Sequence, residues 1–369
     1  MRVLFAGGGT AGHINPAIAV ANYIKEQEQQ SEFLFIGTEN GMEKTLVPRM
    51  GFDIKFIKIH GFKRSLSFDN VKVMAELVTG TRRAMQIIKE FKPDVVMGTG
   101  GYVAGPVLLA ASMLKIPTIV HESNAYPGVT VRMLAKIVDV VALGMGDAAN
   151  FLSSKACIRV TGNPVRPSIL AGDKMTAREK LGLDSRKVIL IFGGSLGAEK
   201  INSVAVEWIS KIADSHKYQI LMSTGKNNQY DRVKKLFEEQ KIDLGKYPEI
   251  KVSEYIYDMD LALNAADLII ARSGGSVSEM TALGKAAILI PSPFVAGNHQ
   301  EHNARAVEKS GGAIVISQDE LSLESLGKAA DGILCDAEVL ERMSRCSKSI
   351  GITDATDKIY KIMNELIKR

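Results

Sequence analysis

Cysteine is scarce in this chain. Three occur in 369 residues, Cys157, Cys335 and Cys346, odd in number and with no C-x-x-C pair. A disulfide framework is therefore excluded, and a reducing cytosol fits. Long apolar runs are missing too. Stretches such as VLLAASML (107–114) fall well short of the ~18–20 residues that span a bilayer. Charge of one sign is not in large excess: 46 Lys and Arg stand against 41 Asp and Glu, a net +5. So mild a balance suits phosphorylated substrates or an anionic surface and makes no demand for nucleic acid. A signal-peptide pattern is lacking, because MRVLFAG opens directly as a strand. What remains is the composition of a soluble globular protein, long enough for two domains.

Short apolar runs alternate with longer helical patterns. Expected strands are VLFAG (3–7), FLFIG (33–37), VVMG (95–98), TIVHE (118–122) and VVALG (140–144). A second set is VILIFGG (188–194), QILMST (219–224), IKVSEY (250–255), LIIARS (268–273), AAILIP (286–291) and AIVIS (313–317). Near-continuous β-branched runs between helices imply an α/β protein whose parallel sheets are covered on both faces. The chain also repeats itself: Gly8, Gly9, Thr10 and Gly12 fall on Gly193, Gly194, Ser195 and Gly197 at a spacing of 185. Two doubly wound halves follow, each starting with strand, glycine turn and helix. TGNPVRPSI (161–169), with its prolines and glycine, marks the boundary. The expected division is 1–162 and 163–349, with an amphipathic C-terminal helix, about 350–369, packing back onto the first domain.

A glycine turn before a helix offers backbone N–H groups at the positive end of the helix dipole, which is an anion site. GGGTAGH (7–13), GGSLGA (193–198) and RSGGSVSE (272–279) qualify, and GTGGYVAGP (98–106) has the glycines. Gly7, Gly9 and Gly12 satisfy the dinucleotide fingerprint G-x-G-x-x-G, with Glu39 placed as a ribose partner. The second phosphate loop argues against an oxidoreductase with a single nucleotide half. In RSGGSVSE, Ser276, Ser278 and Glu279 share a first helical turn, where hydroxyl and carboxylate together suit a phosphate and a ribose diol. Helix capping is the plainer use of the same residues.

GGTAGH, GGYVAGP, HESN, GNPVR, GGSLGA, RSGGSVSE and NHQEHNA occur in this order along essentially the whole chain. Together they resemble the MurG family of glycosyltransferases of peptidoglycan synthesis. The resemblance implies the GT-B fold, two Rossmann-like domains facing a central cleft. It implies inverting transfer of N-acetylglucosamine from UDP-N-acetylglucosamine to the C4 hydroxyl of a lipid-linked muramoyl-pentapeptide, without metal or other cofactor. The first domain would serve the acceptor and membrane side, the second the UDP-sugar. Ala11 stands where the family often has Gly. RSGGSVSE is one residue shorter than some relatives' RSGALTVSE, which leaves the contacts of Ser276 less certain than those of Glu279.

Such a transfer needs a base for the acceptor hydroxyl, stabilisation of the departing diphosphate and alignment of both substrates. His13, at a helix start beside the first loop, has an ordinary pKa near ~6.5 that suits proton transfer. Glu122, at the end of a strand, is the rival base, and the choice between them stays open. His121 reads as a core imidazole. Thr10, Ala11 and Gly12 belong by resemblance to the substrate-contacting set. Asn124 would contact the donor sugar, Ser195 the diphosphate, Ile256 the uracil edge through its backbone, Glu279 the ribose and Gln300 the donor. Arg166 is placed to bridge a phosphate, and Tyr102 belongs to the acceptor side of the cleft. Two rivals share the general layout: a UDP-sugar:diacylglycerol glucosyltransferase, disfavoured by HESN and NHQEHNA, and a UDP-N-acetylglucosamine 2-epimerase, whose carboxylate constellation is not evident.

Asp258-Met259-Asp260 spells D-x-D, but it precedes a helical pattern and reads as a cap. His299 and His302 lack a third ligand at suitable spacing. A lipid-linked acceptor calls for peripheral contact with the inner face of the cell membrane. In 71–92, Val71, Met74, Val78, Met85 and Ile88 recur at helical spacing among Lys72, Arg82, Arg83, Lys89 and Lys92. Such a helix either lies in an anionic interface or packs its stripe on the sheet. GFKRSLS (61–67) before it adds two cations and a phenylalanine.

Overall fold

The computed structural model describes residues 1–61 and 69–368, and gives the side chains of all of these except Ala11 and 69–73. The chain forms two compact units, one of Met1–Val165 together with the segment that begins at Ile352, the other of Arg166–Gly351.

The first unit holds seven strands: β1 (Arg2–Ala6), β2 (Glu32–Gly37), β3 (Asp53–Phe56), β4 (Val95–Gly98), β5 (Thr118–Glu122), β6 (Val140–Leu143) and β7 (Ile158–Val160). They lie in the order β3-β2-β1-β4-β5-β6-β7, every pair parallel. The second unit holds β8 (Lys187–Phe192), β9 (Tyr218–Ser223), β10 (Ile250–Ser253), β11 (Leu268–Ala271), β12 (Ala286–Leu289) and β13 (Ala313–Val315). Their order is β10-β9-β8-β11-β12-β13, again all parallel. The expected α/β class and the eleven expected strands are present, with ends displaced by at most two residues.

β3 and β7 went unexpected for one reason. Both are edge strands with largely uncovered faces: DIKF has no fully buried residue and IRV exposes two of three. The apolar run that marks a central parallel strand is absent there. β4 and β5, by contrast, are buried at every position.

The strand order of each sheet reverses once, between β1 and β4 and between β8 and β11. Ligands of open α/β sheets bind at the carboxyl ends of the strands beside such a switch point. The chain therefore brings the turns after β1 and β4 together in the first unit, and those after β8 and β11 in the second.

The first sheet is covered on both faces. Ala84, Ile87, Ile88, Val107 and Leu108 lie on one side; Ile14, Val20 and Ile24 lie on the other. The second face also takes Ile359, Ile362, Met363 and Leu366 of the helix Ala355–Ile367. Each such side chain, fully buried, contributes about 1.5–3 kcal/mol. Tyr23 Oη donates to Asp357 at 3.1 Å and Tyr360 Oη to Glu28 at 2.6 Å, fixing that helix against Ala11–Gln27. In the second unit, Trp208 of the helix Glu199–Ile212 is a fully buried anchor of the core.

Candidate functional site

The turn after β1 is built around a carboxylate. Gly9 lies at φ +87°, in the left-handed region that glycine adopts freely. Its N–H donates to Glu43 Oε2 at 3.0 Å, while Thr38 N–H and Thr38 Oγ1 donate to Glu43 Oε1, each at 2.9 Å. Glu43 is wholly buried at the start of the helix Glu43–Arg49. A Cβ on Gly8, Gly37 or Gly41 would come within 2.1–2.5 Å of its side chain. Three glycines thus make the room this carboxylate occupies. Glu39, the expected ribose partner, is exposed instead. A buried anion already bonded to the Gly9 N–H is at odds with a dinucleotide pyrophosphate in this turn.

His13 stands in the first turn of Ala11–Gln27, half-buried. Its Nδ1 lies 3.2 Å from the Gly8 carbonyl and 3.3 Å from Thr10 Oγ1. A carbonyl only accepts, so Nδ1 carries the proton and Nε2 the basic lone pair. The imidazole rests on the turn after β4: a Cβ on Gly100, at φ +102°, would stand 2.8 Å from His13 Cδ2. Tyr102 opens the helix Gly101–Met113 with its ring edge against Gly9. The structure thus brings together Thr10, His13 and Tyr102. Thr10 and Gly12 are exposed; the side chain of Ala11 lies outside the described residues.

At the end of β5 the two neighbours differ. His121 is fully buried; its Nε2 faces the Gly162 carbonyl at 3.3 Å, and burial pushes its pKa down to about 4. It is a core imidazole, as its place on the strand suggests. Glu122 has both oxygens engaged. Oε1 accepts from Asn124 N–H at 2.9 Å and Asn124 Nδ2 at 3.0 Å, and Oε2 from Gly128 N–H at 2.8 Å. This carboxylate shapes the turn leading to the helix Val129–Leu134 and holds Asn124 in place.

In the second unit, the turn after β8 opens onto a cavity of about 720 Å³ lined by Ser195, Lys200, Arg272, Phe294, Gln300 and Gln318 among others. Gly194 lies at φ +93° and Gly197 at φ +80°. A Cβ on Gly197 would stand 2.2 Å from the Thr224 carbonyl, so glycine alone allows this close approach. Ser195 is exposed beside the start of Glu199–Ile212, where dipole and N–H groups favour an anion. Arg272 donates to the carbonyls of Ile290 and Pro291 and to Gln318 Oε1, tying three turns together, and burial lowers its pKa. Gln300 Oε1 accepts from Ser292 N–H at 2.9 Å.

Arg166 and Glu279 meet in an ion pair, Nε to Oε1 3.1 Å, beside this cavity's turn after β11 but not in its lining. Burial raises the Glu279 pKa and Arg166 opposes the rise. Ser276 and Glu279 both lie in the first turn of the helix Ser276–Leu283. Ile256 is half-buried in the turn after β10 and does not line the cavity. Asp258 stands at the N-cap position of Met259–Ala265, yet its side chain makes no capping bond. The placement matches the sequence reading and the bond does not. Sequence reasoning passed over Glu43, Lys200 and Gln318, and quoted Arg272 only as part of a motif.

The helix Asp69–Phe91 splits its apolar stripe. Ile88 is buried and Met85 packs on the core, whereas Met74 and Val78 are half exposed and Arg82, Arg83 and Lys89 exposed. The side chains of Val71 and Lys72, and residues 62–67 of the basic stretch before it, lie outside the described residues. Among the described residues no helix is long and apolar enough to cross a membrane.

Two family models match the chain: the glycosyltransferase family 28 N-terminal domain over residues 3–143 and its C-terminal domain over 188–363. A UDP-N-acetylglucosamine--N-acetylmuramyl-(pentapeptide) pyrophosphoryl-undecaprenol N-acetylglucosamine transferase of Acetivibrio thermocellus is 48% identical, covering 100% of this chain and 99% of its own. One of Bacillus cytotoxicus, with the same name, is 42% identical over 100% of both chains. Among solved structures, MurG of Acinetobacter baumannii superposes with a TM-score of 0.79 at 28% identity, covering 99% of each chain. A UDP-GlcNAc 2-epimerase of Neisseria meningitidis shares the fold at a TM-score of 0.67 and 18% identity, with 99% of this chain and 100% of that one covered.

Proposed function

The chain belongs to glycosyltransferase family 28, among the UDP-N-acetylglucosamine--N-acetylmuramyl-(pentapeptide) pyrophosphoryl-undecaprenol N-acetylglucosamine transferases, and on that premise we propose how it works. It is an enzyme that moves N-acetylglucosamine from UDP to the muramoyl sugar of a lipid-linked pentapeptide, the step from lipid I to lipid II of peptidoglycan synthesis.

In the transfer, His13 Nε2 takes the proton of the acceptor C4 hydroxyl. That oxygen bonds to the anomeric carbon as the bond from this carbon to the diphosphate oxygen breaks. Configuration inverts and UDP departs. The Nδ1–H bond to Gly8 supports this role, because it leaves the basic nitrogen at Nε2. Glu122, with both oxygens bonded inside its own turn, positions Asn124 toward the donor sugar rather than taking the proton.

Donor binding falls to residues 166–351. The diphosphate lies on the turn Gly193–Ala198 with the Ser195 hydroxyl, and the dipole of Glu199–Ile212 stabilises the charge that grows on departure. Arg166 adds a guanidinium, Glu279 and Ser276 receive the ribose, the Ile256 backbone reads the uracil and Gln300 binds the sugar. Thr10, Ala11, Gly12 and Tyr102 border the reacting groups. The acceptor's polyprenyl chain holds it in a bilayer, so the enzyme works as a peripheral protein on the inner face of the cell membrane. Half-exposed Met74 and Val78 beside Arg82, Arg83 and Lys89 support a contact with anionic lipid there.

The observation that carries this reading is the tautomer-fixing bond of His13 in a chain 48% identical to a named transferase over its full length. The test is transfer of radiolabel from UDP-N-acetylglucosamine to a short-chain lipid-linked muramoyl-pentapeptide, in EDTA. Wild type is expected to transfer. His13→Ala is expected to lose turnover with UDP binding intact. Full turnover by His13→Ala passes the proton role to Glu122, and no transfer by wild type that still binds UDP-sugar overturns the assignment.

A further inference from the structure

We propose that Glu43 is a positioning residue for catalysis, acting on His13 through the single peptide group between Gly8 and Gly9. The N–H of that group, on Gly9, donates to Glu43 Oε2 at 3.0 Å. Its carbonyl, on Gly8, accepts from His13 Nδ1 at 3.2 Å. Carboxylate, peptide and imidazole therefore form one chain of hydrogen bonds, and each bond polarises the next. The inference rests on the reading of His13 as the base.

The geometry makes this more than a loop anchor. Both ends of the peptide are used, and its orientation decides the outcome. Turned over, it would offer an N–H to Nδ1 and move the proton to Nε2, leaving no lone pair there for the acceptor hydroxyl. Glu43 holds the productive orientation. Donors surround it: Thr38 N–H, Thr38 Oγ1 and Gly9 N–H. Donors alone suit the ionised carboxylate, which accepts only. Gly8, Gly37 and Gly41 leave it the space. In the second unit the counterpart of Gly8 is Gly193, where a Cβ would stand 2.5 Å from Ala198 N of its own turn and would meet no carboxylate. The device belongs to the half that holds the histidine.

A negative charge linked in this way favours the imidazolium, so it raises the proton affinity of Nε2. Other titratable groups lie in the same sheet-end turns as His13. His121 of β5 is held neutral by burial, with its pKa pushed down to about 4, and adds no charge near neutrality. Tyr102 lies against Gly9 from the helix Gly101–Met113, and Glu122 is bonded within its own turn.

The experiment compares Glu43→Gln, Glu43→Asp and His13→Ala in the full chain. It reads kcat and KM for UDP-N-acetylglucosamine against pH, and the histidine ring nitrogens by 15N NMR. For Glu43→Gln, kcat is expected to fall about tenfold, less than the ~10²–10⁴-fold a general base supplies. The acid limb of kcat/KM moves to lower pH by about half a unit to one unit, while donor KM holds. In the spectrum, the His13 signals lose the pure Nδ1–H pattern and titrate at lower pH. Glu43→Asp, which keeps the charge, restores the position of the acid limb. Glu43→Gln that lowers kcat with an unmoved acid limb and an unchanged His13 spectrum overturns the proposal, leaving Glu43 as a filler of the turn. Full turnover by His13→Ala overturns the base reading instead. The NMR titration still decides the link between Glu43 and His13 in that case.

Discussion

In the first half, the helix after the glycine turn begins at Ala11, directly after Thr10. In the second, the aligned residue is Leu196, and the helix waits until Glu199. Three further residues widen that turn around a cavity of about 720 Å³. The first turn has no such room, because Glu43 already fills it and takes its Gly9 N–H. Glu199, the acid nearest the second turn, pairs with Arg232. One motif therefore serves two ends. Filled from inside by a carboxylate, it becomes a rigid mount for a histidine. Left open, it exposes the start of Glu199–Ile212, where a helix dipole favours an anion.

The sharpest way to break this comparison is to remove the mounted group. His13→Ala is expected to lower kcat by ~10²–10⁴-fold with UDP affinity unchanged by calorimetry. Ser195→Ala should do the reverse, weakening UDP with a smaller effect on kcat at saturating donor. Equal effects of both on both quantities would end the division of labour.

Closing the open turn comes next. Gly197→Ala forces a side chain into φ +80° and against the Thr224 carbonyl. Roughly 2–4 kcal/mol of stability should be lost from the second half, together with UDP affinity. Gly8→Ala, whose Cβ would meet Glu43 at 2.5 Å, should cost turnover and leave UDP binding alone.

The halves should also respond to pH in different windows, each gaining stability as pH rises, read by hydrogen exchange of each. His121 has an ordinary pKa of 6.5, lowered in the fold to about 4. Between these values the unfolded chain binds a proton that the folded chain refuses. The first half therefore loses stability as pH falls through that window, by roughly 3 kcal/mol at most. Lys285 in the second half is shifted by burial from 10.5 to about 8. Between these values the unfolded chain keeps a proton that the folded chain has released. Stability there should rise with pH, by a similar amount. A second half insensitive to pH across this range would contradict the assignment.

The smallest expected effect is at the cavity's exposed edge. Lys200→Ala should weaken UDP about three- to fivefold at low salt, and the difference should vanish near about 0.5 M salt.

How much of this was legible in the sequence depended on burial. β4 and β5 announced themselves because both faces are covered; β3 and β7 did not, because theirs are not. The RSGGSVSE helix and its place between β11 and β12 were readable from glycine and serine chemistry alone. Glu43 was not. A carboxylate set among glycines distant in sequence leaves no periodic trace, and Glu39 lay nearer the expected spacing. Gln318 joins Arg272 only through the fold, since its turn follows the last strand of the sheet. The amphipathic stripe of Asp69–Phe91 was visible, but one helical period could not say that Ile88 turns inward while Met74 and Val78 face out.

The return of Ala355–Ile367 to the first half, through Tyr23 and Tyr360, has a consequence for synthesis. A ribosome makes residues 166–351 before it reaches that helix. The half begun earliest must then wait, with Val20 and Ile24 uncovered, while the intervening half completes itself. Order of birth and order of maturation are reversed, and the nascent first half is the stage at which chaperones would meet exposed apolar surface.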